Sequence, residues 1–402
     1  MNNIVINQED LLSSIERTTD QMFSKPEFIE LLSSKKKLRI KYGVDVTAPS
    51  LHTGHAVNIW MLRKMQDAGH KVIFLIGDFT TRIGDPSDRD KKRPIISKEQ
   101  IDIDAAAFIE QAKMVLRFDD PELLEIRRNS EWFETMPSGE FLNLLSMVTQ
   151  ARLISRDMFQ KRIENSADIY MHEMVYPIIQ GYDSVALESD LTIVGSDQLF
   201  NEMMGRFYQE KFGQKPQVII TSTITPGLDG GAKQSKSLGN YVGLAHSPRD
   251  KFGKMMRLID PLLEQYFVVY TDLPMAEIEE LKGVIAKDPL AAKRRLAFEI
   301  VKRYHGAEAA EEELDWWIKT FSQKNAPEDM PEITFNSNKV KAFDLIRQCL
   351  ENDVSNSDIR RLFSQGAVEL NEITLSDIED IIEINNGDIL KVGKRKWFKI
   401  KL

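Results

Sequence analysis

The chain has 402 residues, 42% hydrophobic and 29% charged, with a formal net charge of -9. That length exceeds what one ordinary core organises, so two or three domains are expected, with the composition of a soluble globular protein. The single cysteine, Cys349, excludes an internal disulfide framework and a cysteine cluster for zinc, and suits a reducing, cytoplasmic setting.

The N-terminal stretch carries acids early and has no apolar run, so it does not read as a secretory signal. No segment approaches the roughly 18–20 apolar residues of a membrane span, and no membrane partner is expected. The first 35 or so residues read as helical, with Leu11, Ile15 and Met22 on one face and Lys35, Lys36 and Lys37 closing the segment. Residues 38–44 (LRIKYGV), followed by the breaker-rich DVTAPS, read as a strand and a loop. A helix is predicted from about Thr53 to Ala68, ended by Gly69. The continuous apolar run 71–77 (KVIFLIG) fits a strand buried on both faces of a parallel sheet, which completes a βαβ unit. Residues 191–194 and 218–223 are further strands, and about 100–188 is mostly helical in pattern. The expected fold class is therefore α/β: a doubly wound parallel sheet with a helical insertion. From about Ser247 the chain turns helical and charged. Residues 322–337, with two prolines and few large apolars, read as a linker, and the last 60 or so residues form a compact unit of two short helices and then strands.

Two motifs carry chemistry. His52-Thr53-Gly54-His55 sits where a strand's loop enters a helix, whose N-terminal N–H groups and partial positive charge attract phosphate. Gly54 lets a nucleotide approach the backbone, and two imidazoles can donate to phosphate oxygens. Lys233-Gln234-Ser235-Lys236-Ser237 lies in a glycine-flanked loop whose two lysines, three apart, can neutralise a departing pyrophosphate. Chance histidines and a solvated basic loop are the bland alternatives for the two halves taken singly. Neither a Walker-type loop nor Gly-x-Gly-x-x-Gly occurs.

Together, and in this order, the two motifs resemble the paired ATP-binding elements of class I aminoacyl-tRNA synthetases, His-Ile-Gly-His and Lys-Met-Ser-Lys-Ser. The segments KYGVDVTAPSLHTGH, IGDFTTRIGDPS, YPIIQGYDSVAL, GSDQLFN and GLDGGAKQSKSLGN extend the likeness to the bacterial tyrosyl-tRNA synthetases. The resemblance implies a Rossmann-like catalytic domain over 1–240, its insertion at about 100–190 forming a homodimer interface. It implies an α-helical anticodon-side domain over 241–325, a linker over 326–338 and a small α+β S4-like domain over 339–402. It further implies that L-tyrosine, MgATP and tRNA(Tyr) are the partners, with no tightly bound cofactor and no metal held by the protein itself.

The tyrosine-specific part has a physical basis. Tyr176, Gln180 and Asp183 fall at i, i+4 and i+7, one face of a helix expected to begin near Pro177. A carboxylate, an amide and a phenol can hold an amine and a phenolic hydroxyl, although a polar face in water would look the same. By resemblance Asp183 contacts the substrate hydroxyl, while Tyr176, Gln180 and Asp85 surround the ammonium. Asp197 reaches the ribose, Gln198 lies near the substrate, and Gly43, Asp45 and Thr47 line the nucleotide side with Gly54 and Ser235. Thr47 and His52 stabilise the pentacovalent phosphorus, assisted by His55, Lys233 and Lys236. The chain departs from the commonest family pattern at Lys41, Val46, Thr53, Asp88, Val194 and Gln234, which bears on side-chain selectivity. Arg89, Lys91, Lys92 and Arg93 form a basic loop that either closes over phosphates or the tRNA acceptor end, or is merely solvated.

RNA contact is expected in the second half. Lys293, Arg294, Arg295, Lys302 and Arg303 make one stretch of helix cationic, with a plain surface helix as the rival reading. Residues 339–402 hold eleven Lys/Arg and eleven Asp/Glu, yet Lys391, Lys394, Arg395, Lys396, Lys399 and Lys401 all follow the last acid, Asp388. Trp397 and Phe398 interleave with them as stacking candidates. The segment SNSDIRRLFSQGAVELN, with Arg360 and Arg361, resembles the S4-type RNA-binding module. Tryptophanyl-tRNA synthetase, a catalytically silent RNA-binding scaffold and a paralogue for a modified aromatic amino acid are the alternatives.

Overall fold

The computed structural model describes residues 7–46, 50–84, 96–231, 233–235, 238–322, 330–350, 354–371, 373–393 and 396–402. The chain divides into two compact units, residues 1–310 and 311–402.

In the first unit, helix α1 (Gln8–Glu16) leads into strand β1 (Thr19–Phe23) and helix α2 (Lys25–Ser33). The segment up to residue 35 is thus not one helix. Met22 pairs with Ile220 across an antiparallel edge, a partner 198 residues away that no local pattern discloses. Then come β2 (Arg39–Val44), α3 (Thr53–Asp67), β3 (Lys71–Ile76), α4 (Asp78–Ile83) and α5 (Lys98–Ala112). Within the stretch read as helical lies a further strand, β4 (Leu124–Arg128), before the short helices α6 (Ser130–Phe133), α7 (Ser138–Ser146), α8 (Gln150–Ile154) and α9 (Asp157–Glu164). β4 was missed because its sequence, LEIRR, is charged at an edge. Helix α10 (Met171–Ala186), β5 (Leu191–Gly195), α11 (Leu199–Lys211) and β6 (Val218–Ser222) complete the sheet and its covering layers.

The six strands lie in the order β1-β6-β5-β2-β3-β4, all neighbours parallel except β1 with β6. Val72–Ile76 are buried to a residue, as a strand covered on both faces requires. The chain winds outward from β2 in both directions, so the order reverses between β2 and β5. Ligands bind beyond the carboxyl ends of strands at such a switch point.

Helix α10 begins at Met171 and not near Pro177, which sits in its interior. The proline forgoes one helical hydrogen bond, and the packing of α10 against α11 compensates. That packing is close: a Cβ on Gly181 would stand 3.0 Å from the Met204 backbone, and one on Gly205 would stand 2.6 Å from Ser184 Oγ.

Helices α12 (Pro248–Met255), α13 (Leu263–Tyr270), α14 (Met275–Lys287) and α15 (Pro289–His305) follow, then α16 (Ala307–Trp317), in which the division between units falls. The sequence separates residues 241–325 as a domain, but 241–310 cluster with the nucleotide fold. The backbone explains this: Thr53 N–H donates to Val242 O at 2.8 Å and Leu244 N–H to Leu51 O at 3.0 Å.

In the second unit, β7 (Glu332–Thr334) pairs in parallel with the last strand, β13 (Lys396–Lys401), and so part of the expected linker is sheet. β8 (Lys339–Lys341), α17 (Ala342–Cys349), α18 (Asn356–Ser364), β9 (Val368–Leu370), β10 (Ile373–Thr374), β11 (Ile381–Glu383), β12 (Ile389–Val392) and β13 (Lys396–Lys401) complete it. Its core is its own, built on Leu345, Ile346, Ile359, Phe363, Leu390 and Ile400. No helix among the described residues is long and apolar enough to cross a membrane.

Candidate active site

A cleft of about 620 Å³ opens at the carboxyl ends of β2, β3, β5 and β6. It is lined by Gly43, Asp45, His52, Gly54, His55, Tyr176, Gln180, Asp183, Asp197, Gln198, Lys233 and Ser235, all of them site residues expected from sequence. Thr47, Asp85 and Lys236, and the basic loop from Asp88 to Arg93, lie outside the described residues.

The mouth of the cleft carries two imidazoles and an ammonium. His52 precedes α3, and its ring lies 3.7 Å from that of His55, centroid to centroid. His52 N–H donates to His55 Nδ1 at 3.3 Å, which ties the second imidazole to the start of the helix. Residues 241–244 run beside this helix entry, with a bridge between His52 and Gly243. They bring residues 233–235 with them. Lys233 is bridged to Pro226, and its ammonium lies 3.6 Å from Asp197 Oδ2. The two motifs, 181 residues apart, touch directly: Thr53 Oγ1 donates to Gln234 Oε1 at 2.9 Å, and Gln234 Nε2 donates to Tyr270 Oη at 2.8 Å. Both Thr53 and Gln234 are buried.

The inner end is buried and polar. Tyr176 Oη and Thr80 Oγ1 donate to the two Asp45 oxygens at 2.9 and 2.7 Å. Asn129 Nδ2 donates to Thr80 Oγ1 at 3.1 Å and to Asp183 Oδ2 at 3.4 Å, and Trp132 Nε1 donates to Asp183 Oδ1 at 3.0 Å. Burial pushes the Asp183 carboxyl up to about 8, against the opposing pull of the Lys41 ammonium and the Trp132 and Asn129 hydrogen bonds; the Glu202 carboxylate adds to the rise. Lys41 is itself buried, donating to Ser184 Oγ at 2.8 Å and paired with Glu202 Oε2 at 2.8 Å.

Sequence reasoning missed Thr80, Asn129, Trp132 and Glu202. Asn129 and Trp132 follow β4, the unread strand, so nothing local pointed to them. Glu202 left a signal: Gln198, Asn201 and Glu202 fall at i, i+3 and i+4 on one helical face.

Elsewhere the structure revises the RNA-facing expectations. On α15 the Arg303 guanidinium is buried over the Trp60 ring and paired with Asp272 at 2.9 Å; Lys293 pairs with Asp260 and Arg295 with Glu277. That stripe is largely spent within the protein. In the second unit Arg360, Arg361 and Lys396 are exposed, while Lys394 and Arg395 lie outside the described residues. Lys391 pairs with Glu369, and Lys399 and Lys401 with Glu332. Phe398 belongs to the core and cannot stack on a base, because alternation along β13 turns it away from Trp397.

The fold and the cleft define a nucleotide-dependent enzyme of the class I synthetase type, and the chain belongs to the class I tRNA synthetases (W and Y), whose family pattern matches residues 33–322. Among its relatives is the tyrosine–tRNA ligase of Aquifex aeolicus, 39% identical over 392 residues, 98% of each chain. The tyrosine–tRNA ligase of Moorella thermoacetica is 41% identical over 372 residues, 92% of this chain and 89% of that one. Of solved structures, the tyrosyl-tRNA synthetase of Archaeoglobus fulgidus complexed with L-tyrosine superposes with a TM-score of 0.60 at 21% identity. It covers 77% of this chain and 100% of its own, and supports the fold alone.

Proposed function

We infer that the protein is a tyrosine–tRNA ligase, which activates L-tyrosine with ATP and transfers it to the 3′ end of its tRNA. One observation carries the reading: a buried carboxyl, Asp183, shares a single cleft with the imidazoles of His52 and His55 and the ammonium of Lys233. A mouth lined by imidazoles and an ammonium suits a triphosphate, and a buried polar end suits a phenolic hydroxyl.

In the first step an oxygen of the tyrosine carboxylate attacks the α-phosphorus of MgATP. The bond to the β-phosphate bridging oxygen breaks, giving tyrosyl-adenylate and pyrophosphate. His52, His55, Lys233, Lys236 and Thr47 would stabilise the charge that builds on the phosphorus oxygens and the leaving group. Asp197 would hold the ribose, and ATP must then draw Lys233 away from it. In the second step a terminal tRNA hydroxyl attacks the tyrosyl carbonyl and releases AMP. No protein nucleophile is required, since positioning and charge stabilisation supply the rate.

Tyr176, Gln180 and Asp85 would receive the ammonium, with Asp183 on the hydroxyl. A site built to pair a hydroxyl rejects the analogue lacking it, because phenylalanine would leave the Asp183 carboxyl without that partner. A homodimer through the 100–190 segment belongs to the same reading, with the exposed Ile103, Leu142 and Met171 as candidates for its interface. Magnesium would arrive with ATP, tRNA(Tyr) would also meet Arg360, Arg361 and the 394–396 cations, and the lone cysteine fits a cytoplasmic enzyme.

Amino-acid-dependent ATP–pyrophosphate exchange tests the reading across tyrosine, phenylalanine and tryptophan. Tyrosine should drive exchange best, and Asp183→Ala should cut its advantage over phenylalanine by about a hundredfold or more. Exchange driven best by phenylalanine or tryptophan would refute the assignment.

A further inference from the structure

Glu202, on α11, is 1% exposed and accepts hydrogen bonds at both oxygens. Oε2 meets the Lys41 ammonium at 2.8 Å and Gln217 Nε2 at 2.9 Å, while Oε1 accepts from Gln180 Nε2 at 2.9 Å. Both Glu202 oxygens face donors only, and a group that accepts on every side dictates which end of a neighbouring amide faces it.

The dictation is passed on. With its NH2 group committed to Glu202, Gln180 turns Oε1 to Asn201, whose Nδ2 donates to it at 2.8 Å. The same Nδ2 donates to Gln198 Oε1 at 3.0 Å. Asn201 is fully buried, and its own Oδ1 has no hydrogen-bond partner among the described residues. Turning Asn201 over would set that oxygen against two others, so the direction of the relay is held even at the cost of an unpaired acceptor.

We propose that Glu202, paired with Lys41, is a positioning residue for amino-acid recognition. It fixes the direction of three amides, so that Gln180 keeps its oxygen for the backbone end of the substrate. Gln180 Oε1 retains a second lone pair for an ammonium. The proposal rests on the tyrosine reading of this cleft, and it gives Lys41 a role, since its ammonium neutralises the buried charge that sets the direction of the relay.

The test compares the affinity of the full chain for L-tyrosine with that for 3-(4-hydroxyphenyl)propionate, which lacks only the ammonium. In Glu202→Gln the residue facing Gln180 can donate or accept, and the direction is released. The preference for L-tyrosine should fall by about tenfold or more, the worth of a hydrogen bond to a charged group. Affinity for the propionate should stay within about threefold, a split that general loosening would not produce. Should the unpaired Lys41 prevent Glu202→Gln from folding, Lys41→Met/Glu202→Gln, with both charges gone, is read in its place. An unchanged preference, or a parallel loss for both ligands, overturns the proposal alone. A wild type that binds neither ligand overturns the tyrosine reading and this proposal with it.

Discussion

Asp183, the carboxyl proposed to meet the substrate hydroxyl, is buried at a cost to the fold that depends on pH. Its carboxyl is 3% exposed, and burial holds its proton up to about 8, whereas an unfolded chain releases it near about 4. The sign follows from proton counts. The folded state binds the extra proton across that window, so stability drawn from this group is complete below about 4. It is lost as pH rises to about 8, and flat beyond. The groups facing it are the Lys41 ammonium, the Trp132 indole, the Asn129 amide and the Glu202 carboxylate. Asparagine at 183 keeps the shape and cannot titrate. Thermal melts of wild type and Asp183→Asn should therefore diverge steadily between pH 5 and pH 8, with the variant gaining relative to wild type. A difference in Tm that stays constant with pH would show that the carboxyl is not held protonated.

At the scale of elements, the contact between α3 and Gln234 ties two departures from the commonest family pattern together. Thr53 stands where a larger apolar residue is usual and Gln234 where methionine is usual, and in the structure they are one hydrogen bond, buried and 2.9 Å long. The Thr53 hydroxyl finds its acceptor in Gln234 Oε1, while the Gln234 amide is held from its other end by Tyr270. Thr53→Val and Gln234→Met should each lower kcat/KM for ATP in pyrophosphate exchange. Together they should cost less than their sum, by about 1 kcal/mol of coupling. Strict additivity would mean that the bond does not hold the loop to the helix. The pairing also marks what the sequence could disclose. The βαβ unit, both motifs and the Tyr176, Gln180 and Asp183 face were legible, since each is written in local order. Strands β1 and β4 were not, because both are polar edges whose partners lie far along the chain. Asn129 and Trp132 went with β4, and Pro177 concealed the first turns of α10.

The molecule as a whole separates chemistry from its second core. Every described residue that lines the cleft lies within the first unit, the last in sequence being Ser235. The second unit buries Phe335, Leu345, Phe363, Leu390 and Phe398 in a cluster of its own and exposes Arg360, Arg361 and Lys396. Lys391, Lys399 and Lys401 answer to Glu369 and Glu332, and Arg361 itself pairs with Asp358, so any phosphate contact there competes with acids of the same unit. A chain ending at residue 322 should consequently keep tyrosine-dependent pyrophosphate exchange, within about threefold, while its rate of tyrosine transfer to tRNA falls by at least about tenfold as phosphate contacts are removed. The loss should shrink at low salt, where the remaining contacts count for more. Arg360→Ala/Arg361→Ala in the full chain should reproduce part of that loss, with exchange untouched. If truncation abolishes exchange as well, the first unit depends on the second for its fold. If charging survives truncation, the exposed arginines of α18 have no part in holding the RNA.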